Sequence, residues 1–71
     1  MIEMHYVESS NVEQIGYDKD ASELHVIFHG STTIYVYLGI PEHVFEEFLS
    51  APSKGSYLHR MIKNVYQFEK R

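Results

Sequence analysis

Residues 23–40, ELHVIFHGSTTIYVYLGI, form two runs of β-branched and aromatic residues separated by Gly30-Ser31. Apolar side chains occupy every second position of the first run, which is typical of a β-strand. Glycine as the first central residue suits the two-residue turn of a β-hairpin. The stretch therefore predicts an antiparallel hairpin, and the register of that hairpin decides which side chains enter the core.

A turn at Gly30-Ser31 predicts that Val26 lies opposite Tyr35 and that Leu24 lies opposite Tyr37. Directly opposed residues share one face of a sheet. Tyr35 and Tyr37 are then structural core residues and not a surface that reads a ligand. A turn longer or shorter by one residue would exchange the two faces, so the prediction depends on the turn.

The opposite face of the predicted hairpin is also apolar, although a one-sided antiparallel sheet usually presents polar residues there. Its members are Ile27, Ile34, Val36 and Leu38. Uncovered apolar patches usually mark interfaces. We therefore expect these four residues to contact a second copy or a partner protein, unless the N-terminal residues or a returning C-terminal strand cover them.

The flanking sequence predicts one further strand and two short helices. Residues 12–18, VEQIGYD, indicate a strand, and Pro41 suits the first turn of a helix. Ser53 is a good N-cap for a second helix, whose buried stripe is predicted to contain Tyr57, Leu58, Met61, Ile62 and Val65. We predict a single α+β domain over residues 1–71. Its small antiparallel meander has three strands, or four if the C-terminal tail adds one, packed against the helices.

Composition argues against several classes of protein. The 71 residues include no cysteine, which removes disulfides, thiolate metal sites and thiol chemistry. No stretch approaches the ~20 apolar residues of a membrane-spanning helix, and the N-terminus has no signal-peptide pattern, so we expect a cytoplasmic protein. The histidines, serines and carboxylates lack the spacing of metal sites or catalytic groups. We expect no metal, no cofactor and no enzymatic activity.

Charge is distributed unevenly along the chain. Residues 1–50 hold nine acidic residues and one lysine, whereas residues 51–71 hold five basic residues and one glutamate. Such a division is expected if the two halves simply complement each other within one fold. Lysine and arginine also neutralise phosphates, and interleaved aromatic rings can stack on unpaired bases. The candidate contacts for nucleic acid or another anion are Lys54, Gly55, Arg60, Lys63, Lys70 and Arg71.

Short motifs along nearly the whole chain resemble a known domain family. They are Ser9-Ser10-Asn11, Ile15-Gly16-Tyr17-Asp18, Leu24-x-Val26-x-Phe28, Gly30, Tyr35-x-Tyr37, Pro41 and Ser53-x-Gly55-x-Tyr57. In this order they resemble the KTSC domain family, whose hallmark is a Tyr-x-Tyr motif. Leu58-His59 departs from the aromatic-Asn pair expected after the last motif. The family is named for a domain of some lysyl-tRNA synthetases, so the resemblance implies an association with translation or RNA, but no established activity.

These observations together predict a small non-catalytic binding module. We expect it to act through protein–protein interaction or self-association, with a protein partner or a homodimer. The alternative is an accessory RNA-binding module that uses the basic C-terminal segment. Neither a membrane nor a metal is expected as a partner.

Overall fold

The computed structural model describes residues 2–71, and its central feature is a five-stranded antiparallel sheet. The strands lie side by side in chain order, which makes the sheet a meander. They are β1 (Met4–Tyr6), β2 (Val12–Asp18), β3 (Glu23–Phe28), β4 (Tyr35–Leu38) and β5 (Phe68–Lys70). Helix α1 spans Glu42–Ser50, and α2 spans Lys54–Tyr57 before continuing directly into a π-helical segment, Leu58–Lys63. The predicted α+β class is confirmed.

The number of strands is larger than the three or four predicted, because both ends of the chain join the sheet. At the N-terminus, β1 pairs with β2 so that Met4 lies opposite Gly16. A Cβ atom at position 16 would lie 2.5 Å from Met4 Sδ and 2.8 Å from the Glu3 carbonyl oxygen. Glycine at this position therefore allows β1 to approach. A strand of three residues is too short to give a periodic signal in the sequence.

The register between β3 and β4 is the predicted one, with Leu24 opposite Tyr37 and Val26 opposite Tyr35. The turn is not the predicted one. Ser31 N–H donates to the Phe28 carbonyl at 3.1 Å, so His29 and Gly30 are the central residues. Gly30 has a φ of +78°, as the second central residue of a type II turn requires.

One face of the sheet, here called the helix face, carries Leu24, Val26, Tyr35 and Tyr37 and packs against the helices. Tyr37 is only 2% exposed, which confirms its place in the core, while Tyr35 is half-buried against the core's edge. The fully or nearly fully buried core contains Val12, Ile15, Leu24, Val26, Tyr37, Ile40, Phe48, Leu58 and Ile62. The tyrosines of the Tyr-x-Tyr motif are therefore part of the packing that joins sheet to helices.

The buried stripe predicted for the second helix is only partly correct. Leu58 and Ile62 are buried as predicted, but Met61 is 47% exposed and Val65 is 64% exposed. A π-helix bonds residue i to residue i+5, so each turn holds more residues than an α-helical turn. The side chains after Tyr57 consequently leave the α-helical spacing, and the end of the helix presents apolar side chains to solvent.

Candidate functional site

The end of the π-helical segment and the start of β5 enclose a shallow cleft of about 450 Å³. Its lining contains Lys63, Asn64, Val65, Tyr66, Gln67 and Phe68. Val65 and Phe68 are among the most exposed large apolar side chains of the described chain, at 64% and 47%. The cleft is therefore an accessible apolar surface with a lysine at its border.

Aromatic rings extend this cleft along the helix face of β4 and β5. The Phe68 ring lies 5.7 Å from the Tyr35 ring and 5.5 Å from the Tyr37 ring, measured between centroids. Lys70 Nζ lies 5.6 Å from the centroid of Tyr35, which is within the range of a cation–π contact. We call Lys63, Val65, Phe68, Lys70 and Tyr35 together the C-terminal surface.

Neither lysine of the C-terminal surface is neutralised by a nearby acid. Among residues 2–71, no carboxylate oxygen lies within 4.0 Å of the Lys63 or Lys70 ammonium groups. Both residues are exposed. The C-terminal surface thus combines apolar side chains with two cations that are available to a negatively charged ligand.

Strand β5 also leaves one row of backbone groups unpaired, because it is the last strand of the sheet. Ile34 and Arg71 exchange both backbone hydrogen bonds, at 3.1 and 2.8 Å. Hydrogen-bonded pairs alternate with non-bonded ones in an antiparallel ladder, and Lys70 pairs with Tyr35 and Phe68 with Tyr37 in the non-bonded positions. The N–H and C=O groups of Phe68 and Lys70 therefore point away from β4, toward solvent.

The other predicted cations lie elsewhere and are engaged within the chain. Lys54 Nζ donates to the Ala51 carbonyl oxygen at 2.6 Å, and the Arg60 guanidinium donates to Ser56 Oγ at 3.3 Å. Gly55 packs against Asn11, since a Cβ there would lie 2.7 Å from the Asn11 amide oxygen. The six predicted anion contacts thus do not form one surface.

Two motifs distant in sequence meet where Gly55 contacts Asn11. Residues 8–11 and 52–56 line a polar cleft of about 340 Å³. Ser9 Oγ accepts from Val12 N–H at 3.2 Å, and Ser53 Oγ accepts from Ser56 N–H at 3.3 Å as the N-cap of α2. These hydroxyls satisfy backbone donors, which gives the serine motifs a structural role.

Arg71, also predicted as an anion contact, lies on the face of the sheet that points away from the helices. Its guanidinium donates two hydrogen bonds to Glu23, at 3.1 and 3.2 Å, and also bonds Glu69. Because β4 lies between β3 and β5, the bridge from Arg71 to Glu23 crosses β4 on the face that carries Val36. Val36 is 0% exposed. It is therefore unavailable as a direct contact, which corrects that part of the predicted interface.

The rest of the predicted interface remains partly accessible. Ile27, Ile34 and Leu38 are half-buried, and they share with Val36 the face we call the open face. The bridge between Arg71 and Glu23 lies across the centre of this face. For the three half-buried residues, the interface stays a prediction.

Hydrogen bonding sets the charge state of the groups on the open face. The bonds from Arg71, and next the contact with His25, hold the pKa of Glu23 below its ordinary value. The bonds to Glu23 and then Glu69 raise the pKa of Arg71. Both groups therefore stay charged at neutral pH, and the bridge over Val36 remains formed.

Tyr57, whose pKa is also shifted, connects the two helices. The Tyr57 hydroxyl donates to Glu47 Oε1 at 2.8 Å, and the Tyr57 ring stacks on Phe48 with centroids 5.6 Å apart. Burial, followed by this hydrogen bond, raises the pKa of Tyr57 to about 12. The bond joins α2 to α1 and serves the fold.

Lys63 and Lys70, two of the predicted anion contacts, are exposed, and Phe68 is one of the aromatic residues interleaved with them in the sequence; the pattern did not indicate that Val65 lies beside them at the surface. Val65 was predicted to be buried, but the helical segment ends at Lys63, so Val65 lies in the turn that follows and is exposed. The alternation of Tyr66 and Phe68 did indicate an extended edge segment, which is the observed β5. Among residues 2–71, no group of three or more histidine, aspartate or glutamate side chains is arranged to hold a metal ion. No helix in the same range is long and apolar enough to cross a bilayer.

Comparison with known proteins gives a consistent result. A sequence model of the KTSC domain matches residues 8–66. The crystal structure of a KTSC domain protein from Yersinia pestis superposes with a TM-score of 0.93 at 35% identity, over 100% of this chain and 99% of that one. A protein of Tsukamurella paurometabola is 38% identical over 60 residues, which are 84% of this chain and 88% of that protein.

Larger proteins contain the same domain. A lysine–tRNA ligase of Nostoc punctiforme is 34% identical over 62 residues, or 87% of this chain. A lysine–tRNA ligase of Trichormus variabilis is 36% identical over the same length. The chain spans only 11% of the length of each ligase. Agreement of the sequence motifs, the fold and these relatives leads to one conclusion: this chain belongs to the KTSC domain family.

Proposed function

We propose that this chain is a non-catalytic binding module that receives a protein partner on its C-terminal surface. The observation that supports the proposal most is the exposed pair Val65 and Phe68, which line a cleft beside two unpaired lysines. Most large apolar residues of the described chain are buried or half-buried, so an exposed apolar cleft with a charged border is typical of an interaction site. Aromatic anchors in such clefts often contribute most of the binding energy.

The position of the surface also supports a binding role. The C-terminal surface contains a strand edge and the end of an irregular helix, and π-helical segments are frequent at functional sites. The five side chains that define it include no serine, cysteine, histidine or carboxylate, which are the most common nucleophiles and general bases of active sites.

RNA is the second candidate ligand, and a specific observation favours it. Lys63 and Lys70 are unpaired and flank the exposed ring of Phe68, an arrangement suited to phosphate contact and base stacking. Several relatives are lysine–tRNA ligases, which act on a tRNA. Against RNA stands the net charge of −4, which disfavours the approach of a polyanion.

Self-association through the open face is the less supported form of protein binding. Its centre, Val36, is enclosed by the chain's own Arg71, and only the half-buried Ile27, Ile34 and Leu38 remain for contact. A partner on the C-terminal surface would reach Val65 and Phe68 without displacing the Arg71 side chain.

Site-specific photo-crosslinking in bacterial cells tests the proposal. A photoreactive phenylalanine analogue replaces Val65 in one variant and Tyr6 in the control, because Tyr6 is 75% exposed on the opposite edge strand. We expect a discrete protein adduct from position 65 only, and we expect Lys63→Glu with Lys70→Glu to abolish it.

Treatment with nuclease and with protease then separates the two ligand classes. An adduct that is sensitive to protease and resistant to nuclease supports the protein partner. An adduct that nuclease removes assigns the surface to RNA, as does steep loss of tRNA binding with rising salt. Equal labelling from positions 65 and 6 would refute a binding role for the C-terminal surface.

A further inference from the structure

We infer that the C-terminal surface binds an extended acidic peptide segment of its partner, which adds to the sheet as a sixth strand beside β5. The inference rests on the proposed protein-binding function and specifies the form of the partner. The occupant is a segment with an apolar side chain and a carboxylate separated by one residue. Three features of β5 support it: its free backbone edge, the alternation of its side chains and its charge.

The free edge supplies the hydrogen bonds. Phe68 and Lys70 direct their N–H and C=O groups away from β4, because Ile34 and Arg71 form a mutually hydrogen-bonded pair in the same ladder. Successive outward-pointing residues on a strand match those of an added strand at the same spacing. An extended peptide can therefore bond to both residues without any change in the sheet.

Alternation along β5 determines the side chains of the peptide. Phe68 and Lys70 share the helix face, whereas Glu69 lies on the open face bonded to Arg71. The peptide residue beside Phe68 therefore meets the apolar cleft, and the residue two positions away lies beside the Lys70 side chain, whose ammonium is 5.6 Å from the Tyr35 ring centroid. Side chains repeat with a period of two in a strand, so the preferred spacing is one intervening residue in either strand direction.

Charge selects against a second copy of β5 as the occupant. A second copy would bring its own Lys63 and Lys70 to the same junction, which adds positive charge there and no carboxylate on the helix face of β5. A peptide carrying carboxylates is complementary to the same lysines. Charge complementarity therefore favours an acidic segment of another protein.

Labelled heptapeptides and the full chain test this inference by fluorescence anisotropy. The peptides STVTETS and STETVTS place valine and glutamate two residues apart in the two strand directions. The controls are STVETTS, which puts the two side chains on opposite faces, and STVTKTS, which reverses the charge. We expect at least one of the first pair to bind roughly two- to fivefold more tightly than both controls, as a cross-strand pair worth up to about 1 kcal/mol produces.

A charge exchange provides the decisive comparison. Lys70→Glu should lose affinity for the glutamate peptide and gain affinity for STVTKTS, whereas Lys54→Glu, at a residue remote from β5, should change neither. Circular dichroism checks that both variants fold. Equal affinities for all four peptides, or no reversal in Lys70→Glu, would overturn the inference.

The outcome is separable from that of the proposed function. A protein adduct at position 65 without peptide selectivity leaves the surface as a binding site but excludes strand addition of an acidic segment. Absence of both results rejects the proposed function itself. If peptide binding is seen only at protein concentrations where the chain also forms oligomers, the edge belongs to a second copy. That result would overturn the inference of an acidic segment.

Discussion

Replacement of Tyr37 by alanine should remove a large part of the stability of this domain. Tyr37 is 2% exposed, lies opposite Leu24, and its ring centroid is 5.5 Å from that of Phe68. Truncation of a buried aromatic side chain costs about 3–5 kcal/mol. A chain of 71 residues has a total stability of roughly 4–11 kcal/mol at about 0.05–0.15 kcal/mol per residue. Tyr37→Ala therefore approaches the limit at which the domain unfolds.

Urea denaturation followed by circular dichroism measures this effect directly. Tyr6→Ala is the matched control, because the same truncation at a residue that is 75% exposed should change the free energy of unfolding by less than about 0.5 kcal/mol. A cost below ~1 kcal/mol for Tyr37→Ala, or a cost equal to that of Tyr6→Ala, would show that Tyr37 is not a core residue.

Three further variants test the open face and the helix contact. Val36→Glu places a carboxylate at a fully buried position and should destabilise the fold by about 3 kcal/mol or more. A folded variant with unchanged stability in urea would contradict the burial of Val36 beneath the Arg71–Glu23 bridge. The pKa of Glu23 is lowered in the folded state, so the stabilisation that its carboxylate provides is present above pH 4.5 and lost at lower pH. In Glu23→Gln the free energy of unfolding should therefore fall less steeply as the pH is lowered. An unchanged acid profile would argue against the bridge to Arg71. The pKa of Tyr57 is raised from 10.0 to about 12, so the stabilisation from its protonated hydroxyl is lost as the pH rises through that interval. Tyr57→Phe should therefore unfold less readily at alkaline pH, and tyrosinate absorbance can follow the transition.

The hairpin register was predictable because it follows from a local pattern with a period of two. Alternation fixed which residues of β3 and β4 share a face, and one glycine indicated where the chain reverses. The exact turn was not predictable in the same way, since either neighbour of Gly30 can complete a turn. The register was correct even though the central turn residues were not.

The exposed cleft could not be predicted from helical periodicity. Met61 and Val65 continue the apolar stripe of Leu58 and Ile62 only if the helix stays α-helical as far as Val65. The structure instead becomes π-helical at Leu58, and the helical segment ends at Lys63. A change in helix type depends on packing between distant elements, so a local pattern does not reveal it. The contribution of Val65 to the C-terminal surface was missed for this reason.

The sequence also could not show which cations remain free to bind a ligand, because this depends on contacts between residues that are distant in the chain. Arg71 and Lys70 are adjacent in sequence, yet Arg71 bonds Glu23, 48 residues away, while Lys70 lies over Tyr35 without a carboxylate partner in the described chain. Local charge counts treat both residues alike. The two residues differ because their side chains lie on opposite faces of the sheet, and because the sheet order puts Glu23 of β3 on the face of Arg71, across β4.

Amide hydrogen exchange at β5 tests most directly the claim that a partner binds the C-terminal surface by strand addition. In the free chain, the amides of Phe68 and Lys70 face solvent and should exchange rapidly, whereas the Arg71 amide bonds the Ile34 carbonyl at 2.8 Å and should be protected. In complex with the crosslinked partner protein, our account predicts that the Phe68 and Lys70 amides become protected while those of β1 are unchanged. Continued rapid exchange at Phe68 and Lys70, with new protection at the open face or at β1, would contradict it.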